Sequence, residues 1–522
     1  MIRPGGGAFA MLHPSAHAAR TPDKPAYVMA GSGASLSYAE LDAVSNQGAQ
    51  ALRSLGVGQG DHIAILMENR IEFMVIVWAA HRAGVIYTAI SRYLGTQEAA
   101  YILGDCAALA FITSAADLDR ARALRGMVAP DLACLMVGGA AEGFASWEDL
   151  VASQPAAPVA DQAAGEDLLY SSGTTGRPKG IAREWEARPI DHVLPIMPIL
   201  CDGIMGMDAA SVYLSPAPLY HAAPLRFAVR AGSLGATTVI MERFDAADYL
   251  ALVEAHSVTH SQLVPTHFVR MLKLPEAERT RHDLSSLKSV IHAAAPCPAP
   301  VKQAMIDWWG PIVQEYYAGT EANGVTVASA PEWLAHPGTV GRSLVGAIRI
   351  VDEGGAELPA GATGAVYFDS GIDFAYRGDP AKTAAAFLRP GCATLGDVGY
   401  LDEGGFLHLT DRVAWTIISG GVNVYPQEAE DLLISHPSVA DAAVFGIPDE
   451  DLGEAVQAVV QPQIPGAGGA ALEAELIAWL RARLSSIKTP KRIDFRDALP
   501  RTATGKLMKR SLKDEYAGKA AS

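Results

Sequence analysis

The chain has 522 residues, half of them apolar, and a formal net charge of −16. That length exceeds one ordinary domain and supplies several cores, and the acidic balance excludes nucleic acid and an anionic membrane surface as partners. Five scattered cysteines with no Cys-x-x-Cys pair exclude a disulfide framework and a cysteine zinc site. In chain order, Gly5, Gly6 and Gly7 mark a loose lead-in without the basic start and apolar core of a signal peptide. Ser37 and Glu40 form a capping box, and Leu41, Val44, Leu52 and Leu55 keep helical spacing until Gly56 and Gly58 stop them. Residues 62–67 read as a buried strand, 72–82 as a largely apolar helix and 85–90 as another strand. The apolar run over 73–80 falls far short of the ~18 residues a membrane span needs, so no integral membrane segment is expected and a cytoplasmic protein is. Alternating strand and helix predict a parallel α/β architecture.

A Pro/Ala-rich passage over 154–164 then leads to an apolar run at 168–170, read as a short strand. It empties into Ser171-Ser172-Gly173-Thr174-Thr175-Gly176-Arg177-Pro178-Lys179-Gly180. Glycines let successive N–H groups converge on an anion, the hydroxyls add donors, and Lys179 adds a compact positive charge. That is chemistry for holding a polyphosphate. It is not a Walker A loop, because Pro178 stands where the second glycine of that motif belongs. The full string resembles the phosphate-binding loop of the adenylate-forming superfamily, in its acyl-CoA synthetase and 4-coumarate–CoA ligase-like branch.

The resemblance continues along the chain in family order. Tyr220-His221 is similar to the aromatic-histidine pair that borders the acyl pocket, and Ala223, Ala293 and Ala318 are implied as small residues of the same pocket. No aspartate stands beside His221 to pair a substrate amine, which points to an amine-free acid. Ala293-Ala294-Ala295-Pro296 resembles the adenine-side loop, with Ala295 at the nucleotide. Tyr317-Ala318-Gly319-Thr320-Glu321 resembles Tyr-Gly-x-Thr-Glu, with Ala318 where glycine is usual. It implies Tyr317 over adenine, Thr320 at the α-phosphate and Glu321 on Mg²⁺. An alanine at 318 demands ordinary backbone angles or a shifted loop.

Short alternating strands at 347–351, 365–368 and 406–409 predict a small β-rich subdomain. Within it, Asp397 is implied as ribose acceptor in a segment where Leu395 replaces the usual threonine, and Arg412 as a second ribose contact. Ala414 stands at the usual charged hinge position, and an alanine cannot be held by different partners in two orientations. Ser419, Gly420 and Gly421 are implied at the CoA tunnel. Pro426 suits a first helical turn, 439–445 and 455–460 read as strands, and Leu472, Leu476, Ile477, Leu480 and Leu484 stripe a helix. The segment Pro500-Arg501-Thr502-Ala503-Thr504-Gly505-Lys506 resembles the catalytic lysine loop.

The expected fold is therefore α/β: a large N-terminal domain of α/β subdomains plus a small β-rich one, over 1–411, followed by a small mobile α+β domain over 412–522. The expected chemistry is ATP- and Mg²⁺-dependent adenylation of a small-molecule carboxylic acid, aromatic, polycyclic or fatty, and transfer of the acyl group to CoA. Lys506, Thr175 and Glu321 are the implied catalytic groups. Ser171, Ser172, Gly173, Thr174, Gly176 and Lys179 hold phosphate. A stand-alone ligase loading a carrier protein is the alternative, and the oligomeric state is not legible.

Overall fold

The structure, a computed structural model, describes residues 12–128, 131–171, 178–182, 185–412, 415–419, 422–449, 452–501 and 507–520. Contacts divide the chain into two compact units: Met1–Leu263 with Leu274–Ile291 and Phe374–Thr383, and Val264–Lys273 with His292–Asp373 and Ala384–Ser522. These units do not coincide with the expected 411/412 boundary. Among the described residues no helix is long and apolar enough to cross a membrane.

The first unit holds a five-stranded parallel sheet in the order Ile86–Ala89, His62–Leu66, Ala108–Ser114, Ala133–Val137, Ala145–Ser146. Its strands are buried on both faces, as parallel strands covered by helices are. Helix Tyr38–Ser54 begins where the capping box places it, with Ser37 and Glu40 bonding reciprocally, and the chain turns away at Gly56 with φ 81°. A second run of parallel neighbours, Pro25–Met29, Thr237–Ile240, Val212–Ser215 and His260–Leu263, is edged by the antiparallel strand Ser35–Ser37. The strand read at 168–170 is shorter and starts two residues later, at Tyr170–Ser171, and it pairs antiparallel with Lys179–Ala182.

In the second unit, Val313–Ala318, Val325–Ala328 and Arg342–Ser343 pair antiparallel. The expected β-rich subdomain is a five-stranded antiparallel sheet whose longest strand, Cys392–Leu401, was not among the predicted ones. Within it lie the segment Thr394-Leu395-Gly396-Asp397 and Gly399. The strand absorbs them as a bulge: Thr394 faces Tyr367 and Val398 faces Ala365, with Gly396 at φ 83° between. Towards the C-terminus, Val422–Val424, Ile417–Ser419, Gly453–Pro462 and Val439–Asp449 run antiparallel in that order, and Arg492–Phe495 joins parallel to Gly453–Pro462. Helices Pro426–Ile434, with Pro426 in its first turn, and Ala470–Arg481 cover a core of Leu433, Val444, Val456, Val460, Leu476 and Leu480. Leu484 packs against this core from beyond the helix end.

Candidate functional site

Each unit carries one group of the expected site residues. In the first, residues 172–177, with Ser172, Gly173, Thr174, Thr175 and Gly176, lie outside the described residues. The two strand ends that bracket them are fixed: Ser171 faces Lys179 and Tyr170 faces Gly180. The close pairing requires a glycine, because a Cβ at 180 would sit 2.9 Å from the Tyr170 ring. Tyr170 donates its hydroxyl to Asp105 at 2.5 Å, and burial together with that carboxylate pushes the phenol well above its ordinary range. Strand Ala375–Tyr376 pairs on the other edge, and the Lys179 ammonium lies 5.8 Å from the Tyr376 ring centre.

His221 immediately precedes helix Ala222–Leu234, and its ring lies 4.5 Å from that of Tyr220, which is buried. Tyr93 adds a third ring 6.4 Å from Tyr220 and is itself 65% exposed. The turn that delivers Tyr220 is held by Asn69, buried at a strand exit. Its amide donates to the carbonyls of Ala217 and Met241 at 3.1 and 2.8 Å and accepts from Leu219 N–H at 2.8 Å. Sequence reasoning missed Asn69; the only signal was a lone amide after an apolar strand, which reads as a surface turn. Arg226, on the helix that follows His221, forms a buried ion pair. Its Nε and Nη2 donate to Asp167 Oδ2 at 3.0 and 2.7 Å, with both side chains 10% exposed or less. Asp167 leads directly into the phosphate segment, since Leu168 N–H donates to the Tyr87 carbonyl at 3.0 Å. One ion pair thus ties the helix behind His221 to the segment before Tyr170.

In the second unit, Tyr317 donates its hydroxyl to Asp397 Oδ2 at 2.5 Å and stacks on Phe368 with ring centres 5.7 Å apart. Asp397 is buried rather than sitting in an exposed turn, aimed by the bulge at 395–397. Across the strand pair its register partner is Arg412, so the two expected ribose contacts are neighbours. Ala318 ends its strand opposite Val325 at ordinary backbone angles, so the alanine is accommodated as expected. Residues 319–322 then turn, with Ala322 N–H donating to the Gly319 carbonyl at 3.1 Å, and present Thr320 and Glu321 half-buried.

Leu395 lies beside Gly319. A Cβ on Gly319 would sit 2.4 Å from Leu395 Cδ2 and 2.5 Å from Glu321 Oε2, so the leucine and the glutamate wall in that glycine. Gly319→Ala is expected to push the Glu321 carboxylate aside with little loss of fold, since only flexible side-chain ends must yield. A raised Mg²⁺ concentration for half-maximal activity, at an unchanged thermal midpoint, is the measurement that checks it.

Behind the adenine-side segment, Lys302 Nζ meets Glu315 at 2.6 Å, and His292 lies 3.5 Å from the same oxygen. Burial holds His292 well below the ordinary imidazole range, so it is neutral, while burial pushes Glu315 up against the opposing pull of Lys302. Ala293 is buried, Ala295 half-buried, and Ala294 between them sits at φ 76°, a left-handed conformation costly for alanine. The Cys297 thiol is pushed well above its ordinary value by burial and then by Glu315, which favours the protonated form. Ser419 is buried at the end of its strand; Gly420, Gly421, Ala414 and Lys506 lie outside the described residues.

Among the described residues no group of three or more His, Cys, Asp or Glu side chains could hold a metal.

The AMP-binding enzyme model matches residues 15–372, and the AMP-binding enzyme C-terminal domain matches 428–506. The chain is 29% identical to the long-chain-fatty-acid–CoA ligase FadD13 of Mycobacterium tuberculosis over 503 residues, covering 95% of this chain and 96% of that protein. It is 32% identical to a feruloyl-CoA synthase of an Amycolatopsis species over 495 residues, 93% of this chain and 94% of the other. Among solved structures, o-succinylbenzoate CoA synthetase of Bacillus subtilis, in complex with the acyl-adenylate intermediate OSB-AMP, superposes with a TM-score of 0.79 at 26% identity, covering 96% of this chain and 97% of that one. The fold is the mixed α/β fold of adenylate-forming enzymes, a large N-terminal domain followed by a small C-terminal one. The chain belongs to the family of AMP-binding enzymes.

Proposed function

We propose that this protein is an AMP-forming acid–CoA ligase: it adenylates an amine-free carboxylic acid with ATP, then transfers the acyl group to CoA, releasing pyrophosphate and AMP. The observation that carries the reading is the corner where Tyr317 meets Asp397, with Arg412 across the strand and the Thr320-Glu321 turn following in the same chain. It offers a ring, a carboxylate, a hydroxyl and a metal-binding oxygen in the order a nucleotide presents base, ribose and phosphate. The full-length likeness to CoA ligases supports the second half of the reaction.

A carboxylate is a poor nucleophile and shares the sign of ATP's phosphates, so the barrier is largely electrostatic. The donors of residues 171–176, with Lys179 and Lys506, offset charge developing at the α-phosphate and the departing pyrophosphate. Mg²⁺ held by Glu321 would add Lewis-acid neutralisation of the phosphate oxygens. We assign residues 1–411 to a large domain and 412–522 to a mobile one that turns about Ala414, withdrawing Lys506 and bringing Ser419, Gly420 and Gly421 to CoA. A hinge has only to absorb a backbone rotation, which alanine can do.

For the acid, the rings of Tyr93, Tyr220 and His221 favour an aromatic or polycyclic substrate over a fatty one. The test is AMP and pyrophosphate release with ATP, Mg²⁺ and a panel of aromatic, polycyclic and fatty acids, with and without CoA. AMP formation that needs CoA and one acid class is expected. Acid-dependent pyrophosphate release that CoA does not stimulate would move the acceptor to a carrier protein. Silence across the panel would overturn the ligase reading.

A further inference from the structure

The segment expected at the adenine has little of its own to hold it. Ala293-Ala294-Ala295-Pro296-Cys297-Pro298 joins strand Ser289–His292 to helix Ala299–Trp309. Among the described residues no backbone hydrogen bond is made by Ala294, Ala295 or Cys297. Ala294 nevertheless sits at φ 76°, a conformation that an alanine keeps only where its surroundings fix it. The fixed points are the two ends of the segment, and both lead to one carboxylate. His292, the residue before the segment, is fully buried, and its Nε2 lies 3.5 Å from Glu315 Oε2. Lys302, at the start of the helix after it, donates its ammonium to that same oxygen at 2.6 Å, and its backbone N–H donates to the Pro298 carbonyl at 3.1 Å. The Phe268 ring meets His292 edge-on with ring centres 5.1 Å apart, and the Lys302 ammonium lies 5.2 Å from the Trp333 ring centre. Glu315 stands two residues before Tyr317 in strand Val313–Ala318.

We propose that Glu315 is a positioning residue for the nucleotide: through Lys302 and His292 it holds both ends of the 293–298 segment against the strand of Tyr317, and so keeps Ala294 left-handed before ATP arrives. The inference rests on the ligase reading above, which puts Ala295 and Tyr317 at the adenine. Glu315, Lys302 and His292 are almost wholly buried, so salt does not screen the contact. Such a pair adds little stability over apolar residues of like volume, which fill the same space. What it adds is direction, because a charge-assisted hydrogen bond fixes where the helix starts and packing alone does not. Without it the segment relaxes towards ordinary backbone angles, and ATP binding must then restore the strained ones.

The experiment compares wild type, Lys302→Met/Glu315→Leu, Ala294→Gly and the triple variant as full-length proteins. The paired substitution removes both charges together, so neither is stranded and the fold is kept. Binding of ATP and of AMP, each with Mg²⁺ and without acid or CoA, is measured by calorimetry. Lys302→Met/Glu315→Leu is expected to weaken ATP binding about five- to thirtyfold, the equivalent of returning one alanine to the left-handed region. AMP, which shares the adenosine end, should weaken by the same factor. Glycine takes that conformation without strain, so adding Ala294→Gly to the pair should recover most of the loss. Ala294→Gly alone should change ATP binding by no more than about twofold, since the residue is already held there. Glu315→Gln keeps the volume and an acceptor for Lys302, and it should show a smaller loss that Ala294→Gly again recovers. Unchanged ATP binding in the paired variant, a loss that AMP does not share, a loss that Ala294→Gly does not recover, or an equal gain from Ala294→Gly alone would overturn the proposal. Wild-type ATP binding and turnover test the ligase reading, whereas the differences among these variants belong to Glu315.

Discussion

Lys506→Ala is expected to lower adenylate formation by about two to three orders of magnitude while leaving thioester formation from a supplied acyl-adenylate within a few-fold of wild type. The size follows from electrostatics. The attacking carboxylate, the α-phosphate and the departing pyrophosphate are all anionic, and a cation held against them in a water-poor site is worth far more than one in bulk water. Selectivity for one half-reaction follows from the proposed second step, in which a thiol would attack the neutral adenylate carbonyl after the proposed mobile domain had turned Lys506 away. The described flanks suit a residue that must be placed and then removed. Arg501 and Leu507 bridge across the segment, and the pair between Arg501 and Asp441 fixes that bridge to the domain's sheet. ATP–pyrophosphate exchange and single-turnover thioester formation, measured on the same variant, check the split. Equal losses would remove Lys506 from the first step.

How much of this was legible depended on whether the signal was local. The helix at Tyr38–Ser54, the small-domain helices and the parallel architecture follow from capping residues and apolar periodicity, both of which act within a few residues. The family string at 168–181 and the motif around Thr320 and Glu321 were equally plain, because phosphate chemistry requires particular residue types at fixed spacing. Asp397 was assigned its role from the motif, but its strand was missed: two glycines and an aspartate signal a turn, and only pairing with Gly364–Asp369 converts them into a bulge. Asn69 and the Arg226–Asp167 pair escaped for one shared reason. Each joins groups far apart in sequence, and a polar side chain reads as surface until its partner is known.

Arg226→Met is expected to destabilise the protein by about 3–5 kcal/mol, because it strands the Asp167 carboxylate in a buried site without its counter-charge. Neither member of the pair is more than 10% exposed, so water cannot take the place of the guanidinium. Asp167→Leu alone should cost a comparable amount by stranding Arg226. The double variant Arg226→Met/Asp167→Leu, which removes both charges and keeps apolar volume, should recover most of the loss. Function separates from stability in that double variant. Asp167 precedes the strand that enters the phosphate segment, and Arg226 lies on the helix that follows His221. With the directional pair gone, the two elements keep their packing but lose the contact that fixes their register. The Michaelis constant for ATP should therefore remain raised when the thermal midpoint has returned towards wild type. Thermal denaturation of the three variants and ATP kinetics well below each midpoint make the comparison. If the single and double variants denature alike, the pair is not the buried charge couple that its geometry implies. If ATP kinetics recover in step with stability, the pair serves folding alone and the placement of the phosphate segment rests on the Tyr170–Asp105 bond and the strand pairing.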